Sequence, residues 1–161
     1  MQKYASFNIK RVNLYFVDPV ITEDDLKNIR PFTEEYTSCF WTNNIHWERH
    51  LQIDSGDNWV SSLEKAKYNW MGDWNNDNVQ GLAEFISSII SLPQEEIIVW
   101  FWSKESGFET TWGVFLRNWI NFLFDDESPI LICLRTGFAV RFKACGSLYF
   151  GVKSNITKLG K

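Results

Sequence analysis

The chain has 161 residues, 45% apolar and 22% charged, with a formal net charge of −4. That length fits one domain with a sizeable buried core, and the balance is that of an ordinary folded protein. The negative total argues against a nucleic-acid partner. No apolar run approaches bilayer length, and the opening M-Q-K-Y-A-S-F-N-I-K lacks the apolar stretch of a secretory signal, which leads us to expect a cytoplasmic protein without a membrane partner.

Two totals depart from the ordinary. Aromatic residues reach 17%, with nine Trp, thirteen Phe and five Tyr. Buried rings remove large areas from water, and rings beyond the needs of the core would serve as surface anchors. Charge is also distributed unevenly. Residues 1–17 and 128–161 carry nine bases and no acid, whereas residues 18–127 hold all twenty acids beside seven bases, a balance of −13. Either the two parts neutralise each other inside the fold, or the middle of the chain presents an acidic surface. Cys39, Cys133 and Cys145 form no CxxC pair and read as reduced thiols, although strand pairing would permit a Cys133–Cys145 disulfide.

In chain order, Lys10–Val17 alternates loosely and reads as a strand that Asp18-Pro19 ends. Thr22 caps a short helix with acids in its first turn, stopped by Arg30-Pro31. Thr33 starts a second helix with Tyr36, Phe40 and Trp41 on its apolar side. Residues 52–78 are dense in Asp, Asn and Gly and read as turns. Val79–Ile90 is a helix with Leu82, Phe85, Ile86 and Ile89 inward and Gly81 as a mild defect. The run Ile97–Trp102 is apolar throughout, as expected of a strand buried on both faces.

The clearest element follows. From Trp112, the residues Phe115, Leu116, Trp119, Ile120 and Leu123 recur at helical spacing, with Arg117, Asn118 and Asn121 on the opposite face and Thr110 or Thr111 as cap. Asp125-Asp126-Glu127 and Pro129 close this central helix. Ile130–Arg135, Phe138–Lys143 and Leu148–Val152, joined at Thr136-Gly137 and Cys145-Gly146, form an antiparallel meander. The expected fold is α+β, a mostly antiparallel sheet with helices packed against it, in one domain over residues 1–153 followed by a loose polar tail at 154–161.

The segment E-T-T-W-G-V-F-L-R-N-W-I-N-F-L-F-D-D-E-S-P-I-L resembles the signature of a bacterial domain family of unknown function. V-I-T-E-D-D-L-K-N-I-R-P-F-T-E-E, Trp41, the D-N-W and M-G-D-W turns and the closing G-S-L-Y-F-G-V-K are similar as well. The resemblance implies one compact bacterial domain and brings no activity with it.

Several constellations could carry chemistry. His46 and His50 share a helix face at i and i+4 and could chelate a metal, but Trp47 stands where a zincin needs Glu. Adjacent acids such as Glu95-Glu96 read as caps and turns rather than as a separated acid/base pair. No nucleophile elbow, Walker loop or dinucleotide fingerprint occurs, so no cofactor is expected. The better lead is a set of Trp residues among acids: Asp54, Asp57, Trp59, Trp70, Asp73, Trp74 and Asp77. Asp125, Asp126 and Glu127 add to it, because a helix C-terminus disfavours anions. Arg135 or Arg141 could neutralise those three from the following strands. The pattern points to a non-catalytic protein that binds a basic partner, an immunity protein against a toxin domain such as a nuclease. The alternative is a metal- or carboxylate-dependent enzyme using His46 and His50.

Overall fold

A computed structural model of the chain describes residues 1–6, 20–45, 63–123, 128–143, 145–153 and 156. In order the elements are α1 (Glu23–Lys27), β1 (Arg30–Pro31), α2 (Glu34–Asn44), β2 (Glu64–Asn69), α3 (Trp70–Asn75) and α4 (Val79–Ile89). They continue with β3 (Ile97–Phe101), β4 (Gly107–Thr111), α5 (Trp112–Phe122), β5 (Ile130–Cys133), β6 (Phe138–Phe142) and β7 (Ser147–Val152). The strands form one seven-stranded sheet in the order β1-β4-β3-β5-β6-β7-β2, with every pairing antiparallel. The architecture is the α+β single domain that the sequence implies. Among the described residues no helix is long and apolar enough to cross a membrane. The strand expected at Lys10–Val17 lies outside the described residues.

Strand alternation divides the core in two. Ile98, Trp100, Leu131, Cys133, Phe138, Val140 and Phe142 point to one face, where residues of α1, α3, α4 and α5 cover them. Val99, Phe101, Ile130, Ile132 and Ala139 point to the other face, where Tyr36, Phe40 and Trp41 of α2 lie. With helices on both sides, β3 has no solvent face, which explains its uninterrupted apolar run. Of the tail expected from Ser154 onward, Ile156 is described, and it packs against the second cluster.

The central helix is placed by its ends. Thr111 is its cap, accepting from the Val114 N–H at 3.4 Å, while the Trp112 and Gly113 N–H groups donate to Glu96 O and Gln94 O, each at 2.8 Å. At the far end two indoles supply what the helix lacks. Trp74 Nε1 donates to Ile120 O at 3.2 Å and Trp102 Nε1 to Phe122 O at 2.7 Å. Its supposed polar face is another matter: Arg117 is exposed, but Asn118 and Asn121 are 7% and 3% exposed. Asn118 donates to Asp25 Oδ2 at 2.8 Å and Val114 O at 2.9 Å, so α1 covers that side through a polar contact.

One further expectation changes. The stretch read as turns contains, within its described part, the edge strand β2 and the helix α3. Its strand signal is weak because E-K-A-K-Y-N alternates charged residues with Ala66 and Tyr68 instead of a run of β-branched ones. The meander matches the sequence reading, with Gly137 and Gly146 at φ 74° and 79° in its two turns. Its cysteines are free, Cys133 buried and Cys145 exposed.

Candidate protein-binding face

The acids and rings singled out between residues 70 and 77 come together where α3 turns into α4. Asn69 caps α3 through Met71 N–H at 3.2 Å, and Asn78 caps α4 through Gly81 N–H at 3.3 Å. Asp73 sits between the caps. One of its oxygens accepts from Asn78 Nδ2 at 2.8 Å and the other from the Tyr68 hydroxyl. Asp73 is therefore an internal brace rather than a free surface charge. Burial, then the bond to Asp73, then the charge of Glu84 push the Tyr68 hydroxyl well above the ordinary tyrosine range. The Tyr68 ring stacks on Phe85, with centroids 4.2 Å apart and planes at 17°. Gly81 is no defect here, since a Cβ at that position would run into the Asp73 carboxylate and the Asn78 amide.

Of the described Trp residues proposed as anchors, Trp70 is 3% exposed and meets Phe142 edge-on in the core. Its place as the first residue of α3 turns the ring under the helix, so it offers nothing to a partner. Trp74 is half-buried and engaged with the end of α5. Asp77 is exposed, in the left-handed region at φ 52°, a conformation that Asp tolerates. Asp54, Asp57, Trp59, Asp125, Asp126 and Glu127, like His46 and His50 of the metal alternative, lie outside the described residues. Among the described residues no group of three His, Cys, Asp or Glu side chains is placed to hold a metal ion.

The cations are used largely inward. Glu109, 3% exposed on β4, accepts from Lys3 Nζ at 2.6 Å, from the Tyr4 hydroxyl at 2.9 Å and from Arg30. Burial works against the Lys3 charge, yet its bonds to Glu109 and Tyr4 raise its pKa. Asp25, 8% exposed, accepts from Arg117 at 2.6 and 3.3 Å as well as from Asn118. Burial alone would raise its carboxyl, and those bonds outweigh it, holding Asp25 below the usual carboxylate range. Arg135 pairs with Glu96 at 2.6 Å, and Arg141 is buried in the sheet, its guanidinium pushed down to about 10 by burial. Two of these pairs, Lys3–Glu109 and Arg135–Glu96, join the basic ends of the chain to its acidic middle. The neutralisation is partial. Among the described residues, Glu23, Glu34, Glu35, Glu64, Asp77, Glu84, Glu95 and Glu105 remain exposed with no ion pair.

Of the acids singled out in the sequence for this surface, Asp77 alone is both described and exposed; Glu84 of α4, which the sequence reading passes over, is exposed as well. The sequence pattern puts Phe85 on the apolar stripe of its helix and Tyr68 among turn residues, yet the two rings stack. Their juxtaposition follows only from pairing β2 to β7 at the sheet edge. No curated protein and no solved structure matches the chain. A family described as proteins of unknown function, DUF2947, matches residues 3–151. The chain belongs to that family, DUF2947, over nearly its whole length.

Proposed function

We propose that the protein is a non-catalytic binding domain that neutralises a basic protein partner, in the manner of an immunity protein covering a cationic toxin domain such as a nuclease. One observation carries this reading. Folding directs Lys3, Arg30 and Arg117 onto buried carboxylates and, among the described residues, leaves Glu23 of α1, Glu34 and Glu35 of α2, Glu84 of α4 and the loop acids Asp77, Glu95 and Glu105 exposed and outside any ion pair. A surface of that kind steers a cationic partner and speeds association, most strongly at low ionic strength. The signature-like central segment and the indoles that brace it give this surface a rigid support.

The test is affinity capture from the native lysate over a salt gradient, with bound proteins identified by mass spectrometry. A basic protein held stoichiometrically and released progressively by salt is expected. Retention of an acidic or neutral protein with no dependence on salt would overturn the reading. Charge reversal sharpens the test, but Asp73 is unsuitable for it because its carboxylate holds the Asn78 cap and the Tyr68 hydroxyl. Glu84→Lys together with Asp77→Asn changes the surface charge while keeping a residue that tolerates φ 52°.

A further inference from the structure

Glu84, Tyr68 and Phe85 form more than a piece of acidic surface. β2 lies at the sheet edge, and its alternation sorts its charges. Glu64 pairs opposite Phe150, and Ala66 and Tyr68 join the same core cluster, so these three share the face that carries α4. Lys65 pairs opposite Tyr149, which belongs to the other cluster. The strand therefore presents an acid on the α4 side and a base on the opposite side. On the α4 side the half-buried Tyr68 and Phe85 rings stack, with the exposed Glu84 next to Phe85 in α4 and Asp73 bonded to the Tyr68 hydroxyl. Among the described residues neither Glu64 nor Glu84 has an ion-pair partner.

From this arrangement we infer that Tyr68, Phe85 and Glu84 seat an arginine side chain of the basic partner, an assignment that rests on the acidic-surface reading above. A guanidinium is planar, weakly hydrated and permanently charged, so it can lie against an aromatic plane while donating to a carboxylate beside it. A lysine ammonium is a compact, strongly hydrated point charge and gains less from the rings. The stacked pair is held in place by the Tyr68–Asp73 bond, so little ordering is needed when the cation arrives.

The experiment uses the full chain, isotopically labelled, titrated with a hepta-arginine and with a hepta-lysine peptide while amide shifts are followed. Saturable shifts centred on Tyr68, Glu84 and Phe85 are expected, with the arginine peptide binding several-fold more tightly. Glu84→Gln with Phe85→Leu should weaken the arginine peptide about tenfold and bring it level with lysine. The exposed single change Glu84→Gln gives a smaller loss in the same direction and guards against a folding defect in the double variant. Glu34→Gln with Glu35→Gln, on the opposite layer, should leave the preference intact. Equal affinity for the two peptides, or an equal loss from both double variants, would overturn the assignment. A captured partner that binds the Glu84→Gln, Phe85→Leu protein undiminished would also overturn it while leaving the acidic-surface reading standing. No basic partner and no peptide binding at all would remove both.

Discussion

Glu109 and Glu84 are two carboxylates that the protein uses in opposite ways. Glu109 is buried on β4, and its oxygens are taken by Lys3, Arg30 and Tyr4 from two other parts of the chain. Glu84 stands on the outer side of α4, with no described cation near enough to pair. Both belong to the acidic middle of the sequence, and charge counting cannot separate them. What separates them is which side of its element each occupies. A strand position beside Val99 must turn into the second core, whereas a helix position between the inward Leu82 and Ile86 turns away from the first. An acidic balance therefore divides into a structural part, where charge is desolvated and bonded, and a free part that is available to a partner.

Removing Glu109 should break this contrast most strongly. Glu109→Ala leaves Lys3 and Arg30 without their shared acceptor, and a loss of about 3 kcal/mol in urea unfolding is expected, toward the lower end for a broken buried pair because both cations can rehydrate. A loss below about 0.5 kcal/mol would place Glu109 with ordinary surface acids. Asp25 comes next and adds a pH signature. Its folded carboxyl lies below the ordinary value of 3.8, so its contribution is complete above the unfolded pKa and is lost as pH falls through the folded one. Stability measured from pH 6 down to pH 2 should decline less steeply in Asp25→Asn, and the variant should lose about 1–2 kcal/mol at pH 7.

Smaller effects test the α3–α4 corner. Gly81→Ala should gain helix propensity yet displace the Asp73 carboxylate, for a net loss of about 1 kcal/mol by thermal unfolding; a gain in stability would show that Asp73 moves freely. Trp74→Phe replaces the indole by a smaller aromatic ring and deletes the donor to Ile120 O, a loss of about 1 kcal/mol by thermal unfolding. Smallest of all, Glu84→Gln should change stability by less than about 0.5 kcal/mol, as befits an exposed acid with no partner.

Much of the fold was legible. Thr22, Thr33 and Thr111 all cap the helices they announce, and the meander and the buried strand β3 lie where alternation and apolar run put them. What escaped reading had a common physical cause, the satisfaction of polar groups across long sequence distances. Asn118 looked solvent-facing because helical periodicity cannot show Asp25 arriving 93 residues away. Trp74 reads as a surface anchor and Trp102 as the end of a strand because nothing local reveals that their indoles complete the far end of α5. Trp70 looked like an anchor because its neighbours are Asn, Gly and Asp, yet a helix begins at that residue and turns it inward. The candidate surface was legible as a charge balance, whereas the Tyr68–Phe85 stack beside Glu84 needed the β2–β7 register.

The most direct test of the acidic-surface account compares two neutralised proteins against the partner retained by capture. One carries Asp77→Asn and Glu84→Gln on the α3–α4 side, and the other Glu34→Gln and Glu35→Gln at the start of α2. Kd is measured for each and for the unaltered protein at several salt concentrations. The account predicts that the α3–α4 variant binds more weakly and with a shallower salt dependence, its melting temperature unchanged. Identical affinity and salt slope across all three proteins would contradict it.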